Sequence, residues 1–324
     1  MIDAPLISII IPVRNEAKYI SKCLDSFISQ SSGNFEIIVI DGLSVDGTSQ
    51  IIDEYVSLYP GKIKKFENQL IRTPYALNIG LENAKGKFIL LFGAHAFVKE
   101  DFLKINMEAY NKINSKIENL AGVGGRLVIA NNKYLSKIFF AVSNSLFGGA
   151  GKYRYTNKSQ AVETIVYGFY NREKISAFFD TELYIGQDLE FNLKLIRDNK
   201  VLYFCPNIQS FYFARDNLKK FFRQMTNAGT AKGHLIRKKY FRFTWIVPSV
   251  FISYLILTLM YPNVILFIPL IIYIILNIFF SLNDAIKFKD PSMIIFLPLM
   301  YFILHSLIGI GVIFGIIFKN KVLL

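Results

Sequence analysis

Apolar residues are distributed along this chain in two ways. Up to residue 214 they form short runs and periodic stripes between charges and glycines, whereas from Phe243 to Phe318 almost every position is apolar. A short apolar run predicts a buried strand, and apolar residues three and four apart predict a helix. Read this way, strand and helix alternate: a strand over Leu6 to Pro12, a helix with Ile20, Leu24, Phe27 and Ile28 on one face, and a strand over Phe35 to Asp41. There follow a helix from Thr48 to Leu58, a strand from Lys62 to Phe66, a helix from Pro74 to Ala84, a strand from Lys87 to Phe92 and a helix from Asp101 to Ile113. The pattern predicts an α/β domain over residues 1–214, Rossmann-like, with a mostly parallel, doubly wound sheet. Ligands of such sheets bind beyond the carboxyl ends of the strands, which groups Arg14-Asn15-Glu16, Asp41 and Gly93-Ala94-His95 around one crevice. No GxGxxG follows the first strand, which speaks against a dinucleotide-dependent dehydrogenase.

The apolar end answers to a different solvent. About 30 Å of hydrocarbon takes about 20 helical residues, and three stretches meet that need, 244–261, 263–282 and 292–318, so residues 244–324 form a transmembrane domain. Pro262-Asn263 and the polar loop Asn283 to Asp290 separate them. Pro298, Gly309, Gly311 and Gly315 invite a kink in the third, and Gly311 with Gly315 gives a small-xxx-small face suited to close helix packing.

Composition and charge sharpen this division. Of 324 residues 52% are hydrophobic, and the net charge is +13. Nine basic residues stand between Arg215 and Arg242 against one acid, Asp216, so most of the excess abuts the lipid segment, where anionic headgroups account for it without nucleic acid. Residues 215–243 therefore read as a basic interface segment, with an amphipathic helix from Asp216 to Lys232 that turns Leu218, Phe221, Phe222 and Met225 one way. The cluster places the amino-terminal domain inside, and Lys287 and Lys289 agree. Lys319 and Lys321 do not, because three crossings put that tail outside; the last stretch, 27 residues, is too short for two spans, so three are expected. No signal peptide opens the chain, and Cys23 and Cys205 lack metal-type spacing, so a cytoplasmic catalytic domain on the inner membrane with two buried, reduced thiols is expected.

Ile9-Ile10-Ile11-Pro12-Val13-Arg14-Asn15-Glu16, then Ile38-Val39-Ile40-Asp41-Gly42-Leu43-Ser44-Val45-Asp46-Gly47-Thr48, then Ala76-Leu77-Asn78-Ile79-Gly80 resemble the nucleotide-sugar half of family 2 glycosyltransferases, which have the GT-A fold. Phe179-Asp180-Thr181-Glu182 with Gly186-Gln187-Asp188-Leu189-Glu190 resembles the acceptor-side block, where the aspartate at the position of Asp188 is the catalytic base. His305 through Gly315, with Gly93-Ala94-His95-Ala96, is similar to the ExoA-type branch that builds exopolysaccharide such as succinoglycan. The resemblance implies an inverting transfer from a nucleotide sugar.

Such a transfer needs recognition of the nucleotide, stabilisation of the departing diphosphate and a base for the acceptor hydroxyl. For the donor the candidates are Pro12, Arg14, Asn15, Glu16, Asp41, Arg72, Asn78, Gly93 and His95. Asp46 fits an N-cap of the following helix or a ligand, and Asn78 a structural or a binding role. Asp188 is the candidate base, although a carboxylate at a helix start also favours the dipole. Most of the family carries Asp-x-Asp on the fourth strand to hold Mg²⁺ or Mn²⁺. Here Gly93 replaces the first aspartate, leaving His95 as the obvious ligand. Three readings stay open: a cation held by His95 and the donor phosphates, direct stabilisation by Arg14, Lys152 or Arg154, or loss of activity. Gly148 to Tyr155 reads as a loop closing over phosphate or sugar, with Lys152, Tyr153, Arg154 and Tyr155 as contacts and Gln187 alongside. Gln224 stands where processive relatives begin Gln-x-x-Arg-Trp, but Asn227-Ala228 follow, which argues against a chain-extruding synthase.

The function expected is a single sugar addition to a polyprenyl-diphosphate-linked glycan at the membrane surface, in exopolysaccharide or surface polysaccharide assembly. Its partners are the nucleotide sugar, the lipid-linked acceptor and membrane lipids, with no nucleic acid. The alternatives are a polyprenyl-phosphate sugar synthase and an inactive nucleotide- or glycan-binding scaffold.

Overall fold

In a computed structural model, residues 5–31, 33–131, 133–149 and 156–319 are described. The chain divides into two units, the first made of Met1–Ala130, Tyr155–Glu182 and Gln187–Phe213, the second of Asn131–Arg154, Leu183–Gly186 and Ala214–Leu324. Two inner segments, Asn131–Arg154 and Leu183–Gly186, thus group with the carboxyl-terminal part of the chain.

The first unit is a GT-A fold around a nine-stranded mixed sheet. β1 (Ile7–Val13), β2 (Phe35–Asp41), β3 (Ile63–Glu67) and β4 (Phe88–Leu91) are parallel neighbours in the order β3-β2-β1-β4, joined by α1 (Ala17–Ile28), α2 (Thr48–Leu58) and α3 (Thr73–Asn83). β5 (Ala96–Val98), α4 (Phe102–Asn114), β6 (Leu120–Ile129), β7 (Gln160–Val162), β8 (Phe169–Asn171), α6 (Gln187–Arg197) and β9 (Val201–Tyr212) complete the unit; α5 (Tyr134–Asn144) falls between them in the chain and belongs to the second. β8 runs antiparallel to both β4 and β6, extending the sheet beyond the parallel half.

The period of two in β1 and β2 sorts their side chains to two cores. Ile7, Ile9, Ile11, Phe35, Ile37 and Val39 join Leu24 and Phe27 of α1 on one face, whereas Ile10, Ile38 and Ile40 join Ala76, Leu77 and Leu81 of α3 on the other. Both faces are thus covered, as a parallel sheet requires. Cys23 and Cys205 are buried free thiols, and burial raises Cys205 to about 11. Glu36 is buried in β2 but accepts from Ser8 Oγ at 2.7 Å, Lys64 Nζ at 2.6 Å and the Lys85 N–H at 2.8 Å. Burial would raise its carboxyl; these bonds outweigh it and hold the group below its ordinary value.

The second unit contains α5, α7 (Leu218–Arg237), α8 (Phe243–Met260), α9 (Val264–Lys287), a 3₁₀ turn at Pro291–Ile295 and α10 (Leu297–Ile317). Asn217 caps α7, its Oδ1 accepting from the N–H of Lys219 at 2.8 Å. α8, α9 and α10 are each long and apolar enough to cross a membrane. α9 continues five residues past the expected limit of 282, because Asp284 is buried and accepts from Ser145 Oγ at 2.6 Å and from the Tyr301 hydroxyl, which removes the cost of carrying a carboxylate there.

Candidate active site

The carboxyl ends of β1 and β2 end in register, with Val13 opposite Asp41, so the loops after them rise side by side. Asn15 takes a left-handed φ of 54°, which asparagine tolerates, and turns its N–H to Ser44 Oγ at 2.9 Å and its Oδ1 to the N–H of Val45 at 2.9 Å. Asp41, 3% exposed, accepts from the Ser44 N–H at 3.1 Å and from Ser44 Oγ at 2.6 Å. Asp46 accepts from the N–H groups of Thr48 and Ala17, both at 3.1 Å, tying the loop after β2 to the start of α1. Desolvation raises its carboxyl, and the bonds from Thr48 and Ala17 outweigh that, with a net fall. The N-cap of α2 is Gly47, at φ 93°, so Asp46, expected as that cap or as a ligand, stands one residue before the observed cap. The loop after β3 arrives beside them: Asn68 N–H donates to Asp41 O at 2.8 Å, and the space beside Gly42 is bounded by Ile71 O and the Arg14 side chain. Arg72 follows as the N-cap residue of α3, and Pro12 lies within β1 opposite Ile40.

The turn after β4 closes the rim. His95 Nδ1 lies 3.3 Å from Glu16 Oε1, both side chains partly exposed, and the imidazole stands edge-on to Tyr212. A Cβ at Gly93 would lie 3.0 Å from Tyr167 Oη and 3.1 Å from its Cε1, so a side chain there points into the tyrosine ring. That ring is held on Phe92, centroids 4.4 Å apart, and Phe92 packs in turn on Phe27. Among the described residues, no three or more His, Cys, Asp or Glu side chains come together as a cation site. The rim thus presents one imidazole, its Nδ1 facing the Glu16 carboxylate, with the Tyr167 ring in the place that an aspartate side chain at position 93 would need.

Asp188 stands exposed in the first turn of α6, whose free N–H groups favour a carboxylate. Its placement can be followed back residue by residue. Phe191 stacks on Phe179 at 4.3 Å, and Asn78 of α3 clamps Phe179, donating from Nδ2 to its carbonyl at 2.9 Å and accepting at Oδ1 from its N–H at 2.8 Å. The Asn78 amide is thus engaged with the backbone that leads into the Asp188 block. Asp188 also lies near Tyr170, whose hydroxyl donates to Asn192 at 2.8 Å; burial first, then the Asp188 charge, pushes that phenol up. Glu190 is buried, with Oε1 3.1 Å from Lys194; burial raises its carboxyl against the pull of Lys194 and Arg197.

Lys152, Tyr153, Arg154 and Tyr155 lie outside the described residues. Gln187 opens α6 one residue before Asp188, and Gln224 is exposed on α7 in the second unit. Sequence reading overlooked Ser44, which fixes Asp41, and Tyr167, which fills the place beside Gly93. A missing aspartate was the available signal that another group takes that space.

The family model described as Glycosyl transferase family 2 matches residues 8–179, more than half the chain. A Methanococcus voltae protein is 37% identical over 321 residues, 97% of this chain and 98% of its own. It is described as a dolichyl N-acetyl-alpha-D-glucosaminyl phosphate 3-beta-D-2,3-diacetamido-2,3-dideoxy-beta-D-glucuronosyltransferase. The mannosyltransferase PcManGT of Pyrobaculum calidifontis, solved with GDP-Man and Mn²⁺, shares the fold with a TM-score of 0.62 at 15% identity, over 97% of this chain and 88% of that one. S. aureus TarS 1-349 with UDP-GlcNAc gives 0.51 at 18% identity, over 69% and 66%.

Proposed function

Since the chain belongs to glycosyl transferase family 2, we propose that this glycosyltransferase moves a sugar from a nucleotide donor, with inversion, onto a polyprenyl-linked sugar phosphate at the cytoplasmic face of a membrane. The likeness to the Methanococcus voltae enzyme along 97% of the chain carries this reading, because that relative's name places its acceptor sugar on a dolichyl phosphate. An acceptor already bearing a sugar separates it from a synthase that loads a bare polyprenyl phosphate. The ExoA likeness supports only the broader statement, a lipid-linked glycan under assembly.

In this reading Asp41, set by Ser44, and the loops carrying Arg14, Asn15 and Arg72 receive the nucleotide. Asp188 takes the proton of the acceptor hydroxyl as its oxygen bonds to the anomeric carbon, while the bond from that carbon to the diphosphate oxygen breaks on the opposite face. Arg14 and the Tyr167 hydroxyl supply positive charge and a donor to the leaving group, with no divalent cation held by the protein. The second reading, a binding scaffold, rests on Gly93 alone.

The test is transfer of labelled sugar from a panel of nucleotide sugars into the lipid extract of membranes containing the protein. Wild type should label the lipid with EDTA present, and Asp188→Asn should lower the rate by about 10²- to 10⁴-fold with donor binding intact. Nucleotide binding without label from any donor would favour the scaffold, and loss of label in EDTA would overturn the cation-free departure.

A further inference from the structure

The last apolar helix is long enough to span a bilayer, but the helix it packs on most closely is the basic α7. Of its apolar window 44% is buried in the protein, against 11% for each of α8 and α9. The larger part of that cover comes from α7. The glycines of both helices let the backbones touch: a Cβ at Gly229 would lie 2.2 Å from Ile308 O, one at Gly311 2.3 Å from Thr226 O, and one at Gly315 2.3 Å from Thr230 O. Farther along, His234 Nε2 lies 3.1 Å from Phe318 O, and Arg237 Nη1 donates to Ile316 O at 3.1 Å and Ile317 O at 3.2 Å. Both helices advance together, so the second half of α10 runs side by side with α7 in the same direction.

α7 cannot be a bilayer-crossing axis. Lys219, Lys220 and Arg223 stand in its first turns and Lys232 and Arg237 in its last two, and carrying cations near a bilayer centre is costly. Its place is the interface, and α10 is bound to it. The contacts of α10 with the other two helices agree. Gly309 sits on Pro248 and Ser249, whose hydroxyl donates to Gly309 O at 3.1 Å, a few residues after the chain enters α8. Pro298 O accepts from Asn277 at 2.9 Å, and His305 reaches Phe251 and Tyr273, near the middle of the hairpin. From there the helix returns to the level of the basic segment. Its outer face, with Leu299, Phe302, Ile310 and Ile317 exposed, offers an apolar stripe to lipid while the exposed Lys219, Lys220 and Arg223 of α7 meet headgroups.

We propose that the chain crosses the bilayer twice, through α8 and α9, and that α10 lies beside α7 in the interface, so that Phe318 and Lys319 return to the side of the basic segment. The charge of Lys319, at odds with three crossings, then obeys the same rule as Lys287 and Lys289. The experiment uses the full chain with single substitutions at exposed positions, Lys220→Cys, Asn263→Cys and Lys319→Cys, in membrane vesicles of known orientation treated with an impermeant maleimide. Lys319→Cys should react from the same side as Lys220→Cys, and Asn263→Cys from the other; Cys23 and Cys205 are buried and give the background. Reaction of Lys319→Cys from the Asn263→Cys side, or from neither side until detergent is added, would overturn the proposal.

Discussion

Gly93 and Tyr167 form one unit, because the ring occupies the volume that a side chain at position 93 needs. Gly93→Asp should therefore destabilise the protein by about 1–3 kcal/mol, as overpacking does, without creating a Mn²⁺ requirement. Adding Tyr167→Ala should restore part of the loss, and thermal melts of the two single variants and the double variant would read this coupling. Glu36 gives a pH signature at the same scale. Its carboxyl is depressed when folded, so its contribution is complete above the ordinary value of 4.5 and disappears as pH falls through the lower, folded value. Glu36→Gln should cost about 1.5–3 kcal/mol at pH 7 and progressively less in acid, shown by melting curves across that range.

At the scale of elements, one side chain of α3 clamps the start of the loop leading into α6. Asn78→Ala removes two hydrogen bonds to Phe179, so a loss of about 1–3 kcal/mol and a fall in turnover are expected. Titration of nucleotide should show an unchanged Kd if Asn78 acts through Phe179; weakened binding would return it to the donor site. The parallel half of the sheet was legible in the sequence because β1, β2 and β4 are largely apolar runs with periodic helices between them, and β3, although it carries Lys64 and Lys65, falls in the alternation they set. β5, β7 and β8 were not, since three residues each give no period, and their pairing is fixed by partners far along the chain. The rim residues could be placed from the strand ends. Engagements such as Asn78 with Phe179, 101 residues apart, depend on the fold and leave no local trace.

At the scale of the whole molecule, the chain enters the lipid after Arg242 and carries no charged side chain from Phe243 to Asn283. α8 and α9 meet at Tyr261-Pro262-Asn263, where Tyr254 Oη donates to Leu266 O at 2.5 Å and Asn263 Oδ1 accepts from the Ile265 N–H at 2.9 Å. With two crossings this short, uncharged turn is the only link between spans that has to reach the far side. Biogenesis then need not move a lysine or arginine across the bilayer. The two helices can enter as a preformed hairpin once both have left the ribosome, and α10 needs no further translocation step because its docking groove is the glycine-lined face of α7, synthesised earlier.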